Sequence, residues 1–554
     1  MTTGPPPGGA TATPRRGNRP LPAIVGYGVL VGIAGGLAAW FFRLLIGLVH
    51  NLMFLGRLSV SYDANVHTPP SPWGAAVVLV PVVGAVGVVY AVTHFAPEAK
   101  GHGVPEVMDA VHYDSGVIRP IVAVIKALAS ALSIGSGGSV GREGPIVQIG
   151  SAVGSSLGQV RHLSTPDLQL LIAAGSAAGI AATFNAPLGG VLFAVELLLV
   201  RVSGRALLVV AAAVAAAIAV ARRLLGSQLA FTVLQLQQTK PLSASWVALL
   251  ALVVTGAVVG VVAAAFIRGL YWAEDRFELH FRNPYLAHVV GMATVGLVMY
   301  GFFRWLGDYN VQGVGYATIT DVLRDIILNP WILLALAAGK WLVTVLTLGS
   351  GASGGVFSPS LFMGAAVGAI AGHAFAAMGL SVDPTVFVLG GMAGTVAGTT
   401  GAVLTGIVVV TEMTGDFAIA VPLLVVAATA NAVRRYLSPA TIYAEKLLRR
   451  GRWVPTGLQA AGINTIRARD MMAPLPAPAG AATAAAVVDV DASVFAVILA
   501  LETGSAVTVT DGDTVVGTVT RDAVDAAIRR LGQGTPLPPR PGPSPDQDGD
   551  GLGP

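Results

Sequence analysis

Long stretches without a charged residue recur along most of the chain: Leu21 to Phe42, Gly74 to Tyr90, Ala206 to Ala221 and Trp246 to Ile267. At 1.5 Å of rise per residue, runs of this kind cover most or all of the roughly 30 Å of bilayer hydrocarbon, so each predicts a membrane-spanning helix. A soluble fold built on them would expose large apolar patches. After Trp453 the pattern changes to short alternating apolar segments and polar turns, which predicts a small soluble unit over residues 466 to 530. A Pro, Gly and Asp-rich stretch over 531 to 554 reads as a disordered tail, and 451 to 465 as a linker.

Composition sharpens this reading. Of 554 residues, 54% are hydrophobic and 11% charged, against roughly 25% charged in soluble domains, and the mean hydropathy is +0.73. The 69 glycines, with many alanines, predict closely packed helices, because small residues let backbones approach where lipid gives no hydrophobic drive to association. There is no cysteine, which excludes a disulfide frame and thiolate metal chemistry. The net charge of +4 does not indicate nucleic acid, because the basic residues flank membrane segments. Arg15, Arg16 and Arg19 precede the first span; Arg434, Arg435, Lys446, Arg449, Arg450 and Arg452 follow the last. By the positive-inside tendency both termini are expected in the cytoplasm. Residues 1 to 20 lack a signal peptide's apolar core and read as a disordered cytoplasmic N-terminus.

The chain also repeats itself. Gly135-Ser136-Gly137-Gly138-Ser139-Val140-Gly141-Arg142-Glu143-Gly144-Pro145 recurs 214 residues later as Gly349-Ser350-Gly351-Ala352-Ser353-Gly354-Gly355-Val356-Phe357-Ser358-Pro359, with Gly, Ser and Pro in register. The match continues from Gly150, Ala152, Val153 and Gly154 to Gly364, Ala366, Val367 and Gly368, and after a slip Glu196 meets Glu412. Two related halves, each interrupted by a Gly-rich break and a Pro, predict discontinuous helices that meet near the membrane midplane. Proline fits a helix start, where its missing N–H costs nothing, and the free amides there favour an anion. One helix terminus contributes about 0.3–1 kcal/mol, or ~2 when buried, so several must converge on one ion. Close helix crossings are the competing explanation for the glycines.

Four separated segments make the chain resemble the ClC family of chloride channels and chloride/proton antiporters over residues 21 to 450. They are GHGVPE at 101 to 106, where the family usually has GSGIPE; GREGPIVQIG at 141 to 150; FNAPLGGVLFAVE at 184 to 196; and GGVFSP at 354 to 359. The resemblance implies an all-α polytopic membrane protein of two inverted-topology repeats, about seventeen tilted helices, and a homodimer with one pathway per subunit in the cell (inner) membrane. It implies that the anion is held at His102, at the amides of Val356 and Phe357, and at a Tyr hydroxyl, matched by Tyr443 with Tyr436 as rival. Gly141, Arg142, Gly144 and Gly355 would shape the helix starts. Glu143 matches the family's gating glutamate, which also carries protons. An intramembrane Glu at a helix start is costly and usually functional; a salt bridge with Arg142 or simple helix capping are the alternatives.

Two positions depart from the family. His102 stands where Ser is usual, which predicts pH-sensitive conduction or altered anion preference: an anion favours the imidazolium, burial opposes it, and the net sign stays open. Leu197 stands where antiporters commonly have an internal proton-transfer glutamate, which leans toward a channel unless Glu196 or water supplies another relay; Glu196 reads equally as structural. Lys126 lies inside the apolar stretch Ile121 to Leu132. It either adds positive potential or snorkels to the cytoplasmic interface.

The soluble unit resembles a single cystathionine-β-synthase (CBS) motif, a small α/β module. In paired motifs a Thr and an Asp three positions on contact a nucleotide; here Thr520 is followed at that spacing by Ala523, with Asp522 one place early, so no adenine nucleotide or other cofactor is expected. The functional expectation is transport of chloride or a similar anion, as channel or chloride/proton antiporter; carriage of nitrate, fluoride or an unrelated solute is the alternative. An enzyme is not expected, since no helix pairs His or Asp at metal spacing and Ser139 and Ser353 lack a base identifiable by motif.

Overall fold

A computed structural model describes residues 18–227, 231, 246–379, 383–452, 454, 466–473, 486–492, 494–501, 505–512 and 514–532. The expected N-terminal and C-terminal tails and the linker lie almost wholly outside these residues. Between Leu21 and Arg449 the described residues form seventeen α-helices. The first half holds α1 (Leu21–Leu55), α2 (Val80–Phe95), α3 (Val104–His112), α4 (Ile121–Gly135), α5 (Glu143–Val160), α6 (Thr165–Phe184), α7 (Pro187–Leu197) and α8 (Gly204–Leu225). The second holds α9 (Trp246–His280), α10 (Pro284–Leu306), α11 (Tyr316–Leu323), α12 (Pro330–Gly349), α13 (Phe357–Ala377), α14 (Pro384–Thr400), α15 (Val403–Thr414), α16 (Ala420–Leu437) and α17 (Ile442–Arg449). Nine helical stretches among the described residues are long and apolar enough to cross a membrane, and they include all four uncharged runs. The protein is a multi-pass membrane protein.

The repeat is visible in packing. Helix pairs α5/α6 and α13/α14 cross at matching glycines: a Cβ on Gly150 or Gly154 would stand 2.2 Å from the carbonyl oxygen of Gly175 or Leu171, and one on Gly364 or Gly368 2.2 Å from that of Gly391 or Phe387. Contacts this close exclude any side chain. The glycines therefore serve crossings within the helices as well as the breaks before them.

The breaks hold each other. Gly141 and Gly355 exchange backbone hydrogen bonds of 2.7 and 2.6 Å. The Ser130 hydroxyl on α4 pairs with that of Ser353 at 2.9 Å, while Thr344 on α12, 214 residues after Ser130, pairs with Ser139 at 2.9 Å. The Ser353 amide donates to Ser133 at 3.2 Å, and the Ser139 amide to Thr347 at 3.3 Å. Each half thus supplies hydroxyls that satisfy the other half's interrupted backbone, which buried polar groups require.

Beyond the membrane region lie α18 (Ala468–Met471), β1 (Val487–Asp489), α19 (Val494–Ala500), β2 (Ala506–Asp511), β3 (Thr514–Thr520) and α20 (Arg521–Gly532). The strands form one sheet in the order β1-β2-β3, with β1 parallel and β3 antiparallel to β2. Val507, Val509 and Val519 turn one sheet face onto Val494, Val497 and Val524. The Thr520 hydroxyl accepts from the Ala523 amide at 3.4 Å and so caps α20.

Candidate anion pathway

α5 opens Glu143-Gly144-Pro145 and α13 opens Phe357-Ser358-Pro359, each with Pro at its third residue, and their N-termini lie close together. A Cβ on Gly355 would lie 2.7 Å from the Gly144 nitrogen, and one on Gly144 would lie 2.1 Å from the His102 carbonyl oxygen, so only glycine lets these three segments meet. Val356, at the cap of α13, and Phe357, its first residue, are buried, and neither amide has an acceptor among the described residues. Unpaired amides at a helix N-terminus are donors in search of negative charge.

Glu143 provides that charge. It is the first residue of α5, yet it does not cap its own helix. The carboxylate reaches across to α13, where it accepts from the Ser358 amide at 3.4 Å and from the Ser358 hydroxyl. The Tyr316 hydroxyl, at the start of α11, donates to Oε1 at 3.1 Å. No salt bridge to Arg142 forms. Arg142 instead donates to the Thr183 carbonyl at 3.4 Å and lies 5.4 Å from the centre of the Tyr316 ring. The free amides of α13, with the positive end of its dipole, attract the carboxylate away from its neighbour.

His102 and Tyr443 lie side by side, buried, with ring centroids 5.7 Å apart. Tyr436, the rival, is 89% exposed. The Tyr443 hydroxyl has no hydrogen-bond partner among the described residues, so it is available to a ligand. His102 Nε2 lies 3.4 Å from the Tyr271 hydroxyl, and Nδ1 is buried without a partner. Beneath them Glu106 on α3 takes Lys446 at 2.9 Å and Arg450 at 3.1 Å.

Lys126 does not snorkel. It is fully buried, and its ammonium donates to the carbonyls of Ala99 at 3.0 Å and Gly101 at 2.7 Å, inside the loop that carries His102. Lys340, 214 residues on, is equally buried and donates to Val311 at 3.0 Å and Gly313 at 2.7 Å, inside the loop that leads into Tyr316 at the start of α11. The helices that follow start alike, capped by Gly103 at φ 82° and Gly315 at φ 81°. Among the described residues neither lysine has a carboxylate partner. Each lysine therefore fixes a loop beside the pathway. Sequence reasoning missed Lys340 and Tyr316; the register of the repeat, applied to Lys126, points to the first, and nothing local marks the second.

Glu196 sits elsewhere. Its carboxylate accepts from the amides of Leu404 at 2.9 Å and Thr405 at 2.8 Å and from the Thr405 hydroxyl at 2.7 Å, at the start of α15. Glu412 on α15 returns the arrangement, accepting from Leu188 at 3.0 Å and Gly189 at 2.8 Å at the start of α7. Each repeat caps a helix of the other. Leu197 is buried and takes no part.

Residues 83–435 match the family described as voltage gated chloride channel. The chain belongs to the ClC family. This ClC chain is 31% identical over 449 residues to the H(+)/Cl(-) exchange transporter ClcA of Vibrio parahaemolyticus, covering 78% of the chain and 91% of that protein. It is 30% identical over 431 residues to the H(+)/Cl(-) exchange transporter ClcA of Yersinia pseudotuberculosis, covering 76% and 86%. Among solved structures it resembles a slow cyanobacterial Cl-/H+ antiporter (TM-score 0.68, 24% identity, 78% and 99% covered). It also resembles a CLC-type fluoride/proton antiporter (TM-score 0.62, 23% identity, 76% and 97% covered). These structural likenesses establish the ClC fold, with its two inverted repeats.

Proposed function

We propose that this ClC chain moves chloride across the membrane in exchange for protons, along a path that runs from Glu143 past the start of α13 to Tyr443 and His102. One observation carries the reading: the Glu143 carboxylate sits at the start of α13, taking the Ser358 amide and hydroxyl beside the unpaired amides of Val356 and Phe357. A chloride can take that place when the carboxylate is protonated or displaced. Lys126 and Lys340 fix the loops on either side. Proton coupling is favoured over passive conduction because the curated relatives quoted above are named H(+)/Cl(-) exchange transporters.

The proposal extends to a homodimer with one pathway per subunit in the cell (inner) membrane. Both termini are assigned to the cytoplasm, supported by the arginines before α1 and after α16. Residues 21 to 450 would be the transport domain and 466 to 530 a single CBS-like unit without a nucleotide, since the Thr520 hydroxyl is engaged with its own helix. The test is flux from chloride-loaded liposomes, with and without an imposed proton gradient, for the wild type and Glu143→Gln. The wild type should drive protons uphill on a chloride gradient, and Glu143→Gln should pass chloride without moving protons. Absence of anion flux from the wild type overturns the reading.

A further inference from the structure

His102 is a buried titratable group in this pathway whose hydrogen bonding is half finished. The Tyr271 hydroxyl donates its single proton to the Ile442 carbonyl, which can only accept. Toward His102 Nε2, 3.4 Å away, the Tyr271 oxygen can therefore only accept, so the contact, though long, selects the neutral tautomer with its proton on Nε2. That tautomer leaves a lone pair on Nδ1. Nδ1 is buried and nothing among the described residues donates to it. A buried lone pair repels a chloride and accepts a proton. Once protonated at Nδ1, the ring gains both a donor and a charge beside the unengaged hydroxyl of Tyr443.

Burial opposes that protonation most strongly, and the surrounding charges come next. Glu106 on α3, Lys126 on α4, Tyr271 on α9, and Tyr443 and Lys446 on α17, with Arg450 just beyond it, are the titratable and charged groups acting on or touching the ring. Three cations stand against one carboxylate, and that carboxylate is already paired with Lys446 and Arg450. The empty site therefore holds His102 neutral. An arriving anion is the negative partner that the site lacks.

We infer that His102 binds a proton at Nδ1 together with the transported anion, so that the inner end of the pathway is a joint proton and anion site in a chain with Leu197 where no proton can be held. The inference rests on the anion-pathway reading. By linkage, chloride raises the proton affinity of His102 by the same factor as protonation raises chloride affinity.

The experiment is calorimetric titration of chloride into the purified full-length Glu143→Gln protein, which removes the other linked carboxylate, in buffers of different ionisation enthalpy. Chloride binding should take up a proton, approaching about one per chloride at pH between the range in which His102 titrates in the chloride-free protein and the higher range in which it titrates with chloride bound, with apparent affinity falling about tenfold per pH unit there. Glu143→Gln with His102→Ser, or with His102→Gln, should bind chloride with no proton uptake and little pH dependence. Chloride binding without proton uptake while His102 is intact overturns the inference, and so does uptake that survives removal of His102. No chloride binding at any pH overturns instead the pathway reading on which it rests. The decisive arm keeps His102, so it does not depend on either His102 variant folding.

Discussion

Glu196→Gln separates a proton relay from a helix cap. In the wild type one carboxylate oxygen takes the Leu404 amide and the other takes the amide and hydroxyl of Thr405. A glutamine can turn its carbonyl to Thr405, but its NH2 then faces the Leu404 N–H, donor against donor. One charge-assisted bond is lost, at about 1.5–3 kcal/mol. Loss of the charge at the start of α15 adds about 0.3–2 kcal/mol. The total is about 2–5 kcal/mol. Glu412→Gln removes one of two bonds at a half-buried site, so its cost should be about 1–2 kcal/mol. Thermal unfolding in detergent should rank Glu196→Gln below Glu412→Gln and both below the wild type, while liposome assays find the chloride-to-proton ratio unchanged in each. If Glu196→Gln unfolds with the wild type and moves chloride without protons, the carboxylate is a relay and the capping argument fails.

Tyr316→Phe removes one donor from the Glu143 carboxylate and keeps the ring under Arg142. With one tether fewer the carboxylate should yield its place to chloride more readily, so chloride flux at fixed pH should rise above the wild type; an unchanged flux would show that the hydroxyl does not hold the gate. Lys340→Met leaves the Val311 and Gly313 carbonyls buried without a donor, at about 1–3 kcal/mol each. It should also weaken chloride binding, an effect that Lys340→Arg should partly restore in a calorimetric titration. His67, in the loop after α1, has its pKa raised by a hydrogen bond to Asp321 at 2.6 Å, against burial and with help from Asp308. A raised folded-state pKa stabilises below the unfolded value of about 6.5 and loses that contribution as pH rises through the folded value. The gap in unfolding midpoint between the wild type and His67→Gln should therefore be largest in mild acid and close in mild alkali.

The long spans were legible because membrane helices need uncharged runs of fixed length, which the chain displays openly. The break segments were legible because Gly, Ser and Pro recur in register, and Glu143 because a carboxylate is costly at that depth. Helices α3 and α11 were not, since nine and eight residues of mixed character carry little periodic signal. Lys126 invited a snorkelling explanation because a sequence shows the apolar flanks but not the two carbonyls that fold around the ammonium. Glu196 and Glu412 were paired as repeat mates, yet that each caps the other's helix is a property of three-dimensional packing. Tyr316 belongs to no motif, and its importance lies entirely in which carboxylate lies 3.1 Å away.

The mutual hydrogen bonds of Gly141 and Gly355 have a bearing on motion. Transporters built from two repeats commonly expose a central site to one side and then the other by rocking one half against its mate. In this chain such a swing would tear the paired backbone bonds at the breaks, the crossed hydroxyl contacts of Ser130, Ser139, Thr344 and Ser353, and both reciprocal glutamate caps. The two halves are stitched together where a rocker would need its seam. Turnover in such a frame falls to individual side chains moving within a nearly stationary scaffold, so cross-links between the halves at the protein's periphery should leave transport running.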